Sequence, residues 1–364
     1  MLKKLLAITT IFILLFAIVG CQPEAEDPGT GEEDPGGEET PESKTIMMVT
    51  DTGGVNDKSF NQSAWEGLQT LQEDYPDVTF DYIISNDETE YAANLRTAVD
   101  SGSNLTWAVG FMLADAIMEA SEGLPDANFG IVDFTAPIIG DNVVQVGFKE
   151  QEGSFLVGLI AGMTTESNKL GFIGGMESEL ITRFEVGYRA GVLTANPDAE
   201  IDIAYAGSWS DTQLGKEIAN TMYDQGADVI YHAAGNVGNG LFEAAKERGT
   251  GPEGFWTIGV DRDQYEEAPE NMLTSMMKKV GSAMAQITDE YLTTDEFPGG
   301  EVVELGLAED GVGIAPTSDQ TIPEENQEEI LEMVEQYKQM IIDGELVVPT
   351  TQDELADYVA SLTE

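Results

Sequence analysis

Residues 45–84, TIMMVTDTGGVNDKSFNQSAWEGLQTLQEDYPDVTFDYII, read as one strand, helix, strand unit. The mostly apolar TIMMVT has the length and continuity of a buried parallel strand, and Asp51 to Gly54 leave it through a glycine turn. Residues 59–75, SFNQSAWEGLQTLQEDY, then carry apolar side chains at i, i+3, i+4 and i+7, the spacing of one helix face. Asp57 or Ser59 is the candidate N-cap. VTFDYII at 78 returns to strand. A right-handed crossover of this kind calls for a parallel sheet with helices on both faces.

The same alternation runs on through LTWAVG at 105, NFGIVD at 128, VVQVGF at 143, LGFIGG at 170, IDIAYAG at 201, DVIYHAAG at 228 and FWTIGVD at 255. EQEGSFLVGLIAGMT, residues 150–164, has helical periodicity. The fold class is therefore α/β. The units form two successive groups before and after about residue 148, with no linker between them. This predicts two doubly wound parallel-sheet lobes around a ligand cleft, with residues 44–150 in the N-terminal lobe and 151–277 in the C-terminal one. Residues 278–364, with helices at 323–344 and after Thr351, are expected to cross over and pack back on the lobes.

The chain has 364 residues, 68 acidic against 16 basic, and a formal charge of -52. Phosphates would be repelled, so a nucleic-acid partner is excluded. With one cysteine and one histidine, the chain forms no intramolecular disulfide and has little for a Cys/His zinc cluster or a Ser-His-Asp triad. No cofactor or metal is expected, and an excess of carboxylates along the whole chain looks like a surface adapted to high salt.

Residues 1–20 read as an export signal: Lys3 and Lys4 precede the apolar LLAITTIFILLFAIV. Ile18-Val19-Gly20-Cys21 resembles the lipobox of bacterial lipoproteins, in which the signal is cut before the cysteine and the cysteine receives a diacylglyceryl group. An uncleaved membrane helix with an incidental cysteine is the alternative, since about 20 apolar residues span a bilayer. Residues 22–43, QPEAEDPGTGEEDPGGEETPES, contain four prolines, many acids and no aromatic side chain, the composition of an extended, disordered spacer. Lipidated Cys21 would hold the body at the outer face of the cell membrane.

In open parallel sheets ligands lie beyond the carboxyl ends of the strands, which draws attention to Asp51, Gly110, Asp133, Gly174, Gly207, Gly235 and Asp261. Phe60, at the start of the first helix, could lie over a flat ligand ring or be a core side chain. Trp209 in GSWSD sits where a second aromatic plate could stack, or where an indole is partly buried for packing. GFIGG at 171–175 lacks the spacing of a dinucleotide loop, and AGNVGNG at 234–240 lacks a Walker lysine. Asp261 could accept hydrogen bonds from sugar hydroxyls, Lys278 could donate to the same sugar, and Asp133 could accept from a base N–H or cap the next turn. His232, in mid-strand, is assigned a structural role.

DTGGVNDKSFNQSAWEGL, VGFKEQEGSFLVGLIAG, KLGFIGG, GADVIYHAAGNVGNGLFEAAKERG, WTIGVDRDQ and LTSMMKK occur in this order between about Thr45 and Ala285. Together they resemble the basic membrane protein family of ABC-transporter substrate-binding lipoproteins, similar to purine nucleoside receptors. The resemblance implies a type I periplasmic-binding-protein fold, monomeric and without catalysis, that closes on guanosine, inosine or adenosine and serves an ABC permease and its ATPase. Phe60 matches one plate of the family's base sandwich, and Trp209 stands where the family usually has phenylalanine. Asp133 would read the purine edge, with Asp115 in GFMLADA a less favoured candidate, and Gly235, Asp261 and Lys278 match ribose-holding positions. Asp51, Asn56, Ser59 and Asn61 line the first loop.

Three other functions stay open. A sugar or other small-metabolite receptor of the same fold could use the same two aromatic plates on a pyranose. A sensory receptor would pass ligand occupancy to a kinase in place of a permease. A nucleoside hydrolase would require an N-terminal aspartate cluster holding calcium, and Asp51 and Asp57 are too far apart in sequence to match one.

Overall fold

The computed structural model describes residues 43–137 and 140–362. The predicted export segment, Cys21 and the acidic linker up to residue 42 lie outside the described residues. The body from Ser43 onward is a unit of its own. Its first half alternates β1 (Thr45–Thr50), α1 (Phe60–Thr70), β2 (Thr79–Ile83), α2 (Tyr91–Asp100), β3 (Leu105–Val109), α3 (Ala114–Gly123), β4 (Phe129–Val132) and β5 (Val143–Phe148). The second half repeats the pattern with α4 (Glu150–Thr164), β6 (Lys169–Gly174), α5 (Glu179–Ala195), β7 (Glu200–Tyr205), α6 (Thr212–Asp224), β8 (Val229–Ala233), α7 (Val237–Arg248), β9 (Trp256–Asp261) and β10 (Met272–Lys278).

The chain then returns through α8 (Val280–Thr294), β11 (Val302–Leu305), β12 (Val312–Ile314), α9 (Ser318–Thr321), α10 (Gln327–Ile342) and α11 (Gln352–Ser361). Among the described residues these strands make two six-stranded sheets, ordered β11-β5-β4-β3-β1-β2 and β12-β10-β9-β8-β6-β7. Strand for strand the two orders correspond, which is the pseudo-duplication expected from the sequence. Every pairing is parallel except that of β12 with β10. The short antiparallel β12 is thus a departure from a purely parallel prediction, at a sheet edge where a returning chain can pair in either direction.

Strands β3, β4, β5 and β8 are buried along their whole length, as strands covered by helices on both faces must be. The chain passes from one sheet to the other after Phe148, after Lys278, and again between Leu305 and Val312. Close helix packing secures both sheets. A Cβ on Gly191 would lie 2.1 Å from the Phe155 carbonyl oxygen of α4, and one on Gly67 of α1 would lie 2.2 Å from the Gly281 carbonyl oxygen of α8. Glycine at these positions lets helix backbones touch, and the Gly67–Gly281 contact docks the returning segment on the first sheet. Helices α10 and α11 pack on α4 and α5.

Candidate functional site

The carboxyl ends of both sheets open on one cleft of about 530 Å³. Asp51, Phe60, Asn61, Asp133, Trp209, Gly235, Asp261 and Lys278 all line it. Asn56 does not line it and is exposed, and Asp115 lies in the first turn of α3, also outside the lining. Ser59 is buried behind the wall, where its hydroxyl donates a hydrogen bond to the Asp261 carboxylate.

The β1–α1 loop owes its shape to two carboxylates. Asp51 accepts from the Gly53 amide at 2.8 Å and from Asn61 Nδ2 at 2.8 Å. Asp57 accepts from the backbone amides of Ser59, Asn61 and Gln62 at 2.9–3.1 Å. Of the two candidate caps, Asp57 therefore does the capping; Ser59 occupies the N-cap position without a side-chain cap bond. The bonds fix the start of α1, and with it Phe60, at the mouth of the cleft.

From the second sheet, the β7–α6 loop presents Trp209 against Gly175, where a Cβ would come within 2.3 Å of the indole. The glycine at the end of GFIGG thus clears space for the ring. Trp209 Nε1 donates to Met112 Sδ at 3.0 Å, and its ring meets Phe111 edge-on at 6.3 Å between centroids. The aromatic walls therefore come from both sheets.

Asp133 directly follows β4 and Asp261 ends the corresponding strand β9, both with positive φ, at 67° and 69°. The left-handed turn swings each carboxylate off its sheet and into the cleft. Lys278 ends β10 with its side chain 1% exposed. Its ammonium lies 2.6 Å from Asp133 Oδ1 and 3.0 Å from Glu150 Oε1, with the rings of Phe60, Phe148 and Phe184 at 5.2–5.4 Å.

One lysine thus serves too many carboxylates. Burial pushes Asp51 up to about 6, offset in part by its bonds from Gly53 and Asn61. Burial likewise raises Asp261 to about 7, against the pull of Lys278 and Ser59. Asp133 rises through burial, with Lys278 opposing and Glu150 adding to the shift. Burial alone would lower Lys278, but Asp133, Glu150 and Asp261 more than reverse it, so the ammonium stays charged.

Six cross-cleft contacts, two of them already described, join the walls. Lys58 Nζ pairs with Glu267 at 2.5 Å, Gln264 Nε2 donates to the Lys58 carbonyl at 2.9 Å, and Asn239 Nδ2 donates to the Asp57 carbonyl at 3.3 Å. Arg262 reaches Glu66 at 3.4 Å, and the Ser59–Asp261 and Trp209–Met112 bonds complete the set. The cleft is closed. His232 lies beneath this region, fully buried and bonded through Nε2 to Gln264 at 3.1 Å. Burial holds its pKa down at about 4, so it is neutral.

Several lining residues were not singled out for the site from sequence, among them Phe111, Ile181 and Phe184, while Asp57 was read only as a cap and Asn236 only as part of the AGNVGNG exit. Phe111 and Asn236 each directly follow a strand exit that was singled out, Gly110 and Gly235, and could have been found there. Phe184 and Ile181 lie in the first turns of α5, where periodicity identifies a buried face but not what that face meets.

The profile of the family described as ABC transporter substrate-binding protein PnrA-like matches residues 44–352. The chain belongs to this PnrA-like family. Among its relatives, the CD4+ T-cell-stimulating antigen of Listeria innocua is 41% identical over 364 residues, 95% of this chain and 99% of that one. The ABC transporter nucleoside-binding protein BmpA of Lactococcus lactis subsp. cremoris is 38% identical over 367 residues, 96% and 99% of the two chains. An ABC transporter solute-binding protein of Aeropyrum pernix superposes with a TM-score of 0.76 at 27% identity, covering 88% of this chain and 97% of that one. The PnrA-like protein thus has the type I periplasmic-binding fold expected of it and is an ABC transporter substrate-binding protein. No helix among the described residues is long and apolar enough to cross a membrane.

Proposed function

We propose that this protein is a lipid-anchored extracytoplasmic receptor that captures a purine nucleoside and delivers it, unchanged, to an ABC permease driven by its ATPase. The observation that carries this reading is one closed cleft holding aromatic rings from both sheets together with Asp133, Asp261 and Lys278. The nucleoside-binding relative in Lactococcus lactis supports the same ligand class. Phe60 and Trp209 sandwich the base, Asp133 accepts from its N–H edge, and Asp261, Lys278 and the Gly235 backbone hold the ribose. Asp51 and Asn61 shape the first wall. Asn56 is left as a solvent-facing loop residue, and Ser59 acts by orienting Asp261.

The receptor works as a monomer, opening and closing between the two sheets; ligand favours the closed form because only that form lets both walls make contacts. With one ammonium among several carboxylates, nucleosides bind better than nucleotides. A thermal-shift screen with guanosine, inosine, adenosine, ribose and the nucleoside monophosphates tests this, because a ligand of the native state raises Tm by mass action. Selective shifts with purine nucleosides are expected. Shifts with ribose alone would make the protein a sugar receptor.

Two further outcomes follow from this reading. Asp261 and Asp51 titrate at about 7 and about 6 in the folded protein, above the ordinary 3.8. The folded state therefore binds more protons than the unfolded one between these values. Their contribution to the stability of the ligand-free protein is complete below pH 3.8 and is lost as pH rises through 6 and 7. Affinity moves the opposite way, since ionised Asp261 holds the ribose hydroxyls: guanosine should bind at least roughly tenfold more weakly at pH 5.5 than at pH 8. Calorimetric titration at the two values checks it, and equal affinities would remove Asp261 from ligand contact. Separately, Cys21→Ser should release the protein from the membrane fraction, as read by fractionation and by loss of labelled lipid; unchanged retention would contradict lipid anchoring.

A further inference from the structure

Glu150 does not line the cleft, yet its side chain is completely buried at the first residue of α4, where the chain first passes between the sheets. Lys278 stands at the last residue of β10, where the chain passes back. The Glu150 carboxylate bridges two cations: Oε1 lies 3.0 Å from Lys278 Nζ, and Oε2 lies 2.8 Å from Arg183 Nε on α5. Each oxygen of this buried carboxylate thus lies at ion-pair distance from a cation, though neither accepts a hydrogen bond, so it is held by charge alone.

We infer that Glu150, backed by Arg183, is a positioning residue that fixes the direction and the charge of Lys278 at the ligand. This rests on the nucleoside-receptor reading. An ammonium has three donors. Asp133 and Glu150 draw it from two sides at ion-pair distance without accepting a hydrogen bond from it, so its donors are left for a ligand oxygen. Without Glu150, a four-carbon stem among the rings of Phe60, Phe148 and Phe184 has only Asp133 to aim it. The charged groups that face Lys278 are Asp133 after β4, Glu150 on α4 and Asp261 at the end of β9, with Arg183 on α5 reaching it only through Glu150. Burial drives Lys278 toward its neutral form and these carboxylates oppose the change, so losing one of them brings its deprotonation closer to neutral pH.

The test is calorimetric titration of the full chain with guanosine, comparing wild type and Glu150→Gln at pH 7 and pH 9. Taking the ratio of the two Kd values at each pH cancels the ionisation of the base. The variant should bind about tenfold more weakly at pH 7, with the ratio rising severalfold further at pH 9 and falling back in Glu150→Asp. Arg183→Gln supplies a second variant at the partly exposed end of the network, should Glu150→Gln fail to fold. There Glu150 keeps only Lys278 as a cation and aims it less firmly, so the ratio, read at pH 7, should again exceed one. A ratio near one, or one that is constant across pH, would overturn the proposal, because a role confined to packing would not follow proton binding. Wild-type protein that does not bind guanosine would overturn the nucleoside reading itself, which is a separate failure.

Discussion

Asp261→Asn is expected to weaken guanosine binding by about 100-fold or more while leaving the ligand-free protein at least as stable at pH 7. The affinity loss follows from charge-assisted hydrogen bonds, each worth about 1.5–3 kcal/mol; two of them to ribose hydroxyls amount to about 3–6 kcal/mol, more than the roughly 2.7 kcal/mol that a 100-fold change represents. Stability is preserved for two reasons. Asparagine tolerates the left-handed backbone, φ 69°, that aims this side chain into the cleft. The neutral amide also removes a carboxylate whose ionised form burial disfavours, as its rise to about 7 records. Calorimetry measures the first effect and the urea midpoint the second. An unchanged Kd would take Asp261 off the ligand, and collapse of the fold would make it structural.

The second large effect falls on stability. Lys278→Met leaves Asp133 and Glu150 buried without their shared ammonium, and removing one partner of a buried ion pair costs about 3–5 kcal/mol. Methionine approximates the apolar stem, so the loss reports charge more than volume. Asp133, which burial already raises and Lys278 holds down, can escape by taking up a proton. The deficit, measured by urea unfolding, should therefore be largest near pH 8 and shrink toward pH 5, and guanosine binding should be lost throughout. Equal midpoints for variant and wild type at pH 8 would show that Lys278 does not neutralise the cluster.

These residues also show how far the sequence carries. Strands such as Val143–Phe148 were legible because burial on both faces leaves an almost unbroken apolar run. Strand β10 was quoted only as a motif, since Thr274, Ser275 and Lys278 interrupt its apolar pattern, and each of those polar groups finds a partner only in three dimensions. β11 and β12, four and three residues long, carry too little pattern to be recognised at all.

At the site, Asp51, Asp133 and Asp261 could be singled out because parallel sheets place ligands at the carboxyl ends of their strands, and all three line the cleft. Asn56 belongs to the same loop motif but faces solvent, since nothing in the order of residues tells which side of a turn points inward. Glu150 was hidden for a related reason. In sequence it is one acid among 68, and its weight comes from being enclosed between Lys278 and Arg183.

The central claim is that one purine nucleoside occupies the closed cleft, and isothermal titration of the ligand-free protein with guanosine, adenosine and ribose addresses it most directly. The account predicts one nucleoside per chain, a negative heat-capacity change from burying the base between Phe60 and Trp209, and no heat from ribose. Saturable binding of ribose, or no binding of any nucleoside by a folded, ligand-free preparation, would contradict it.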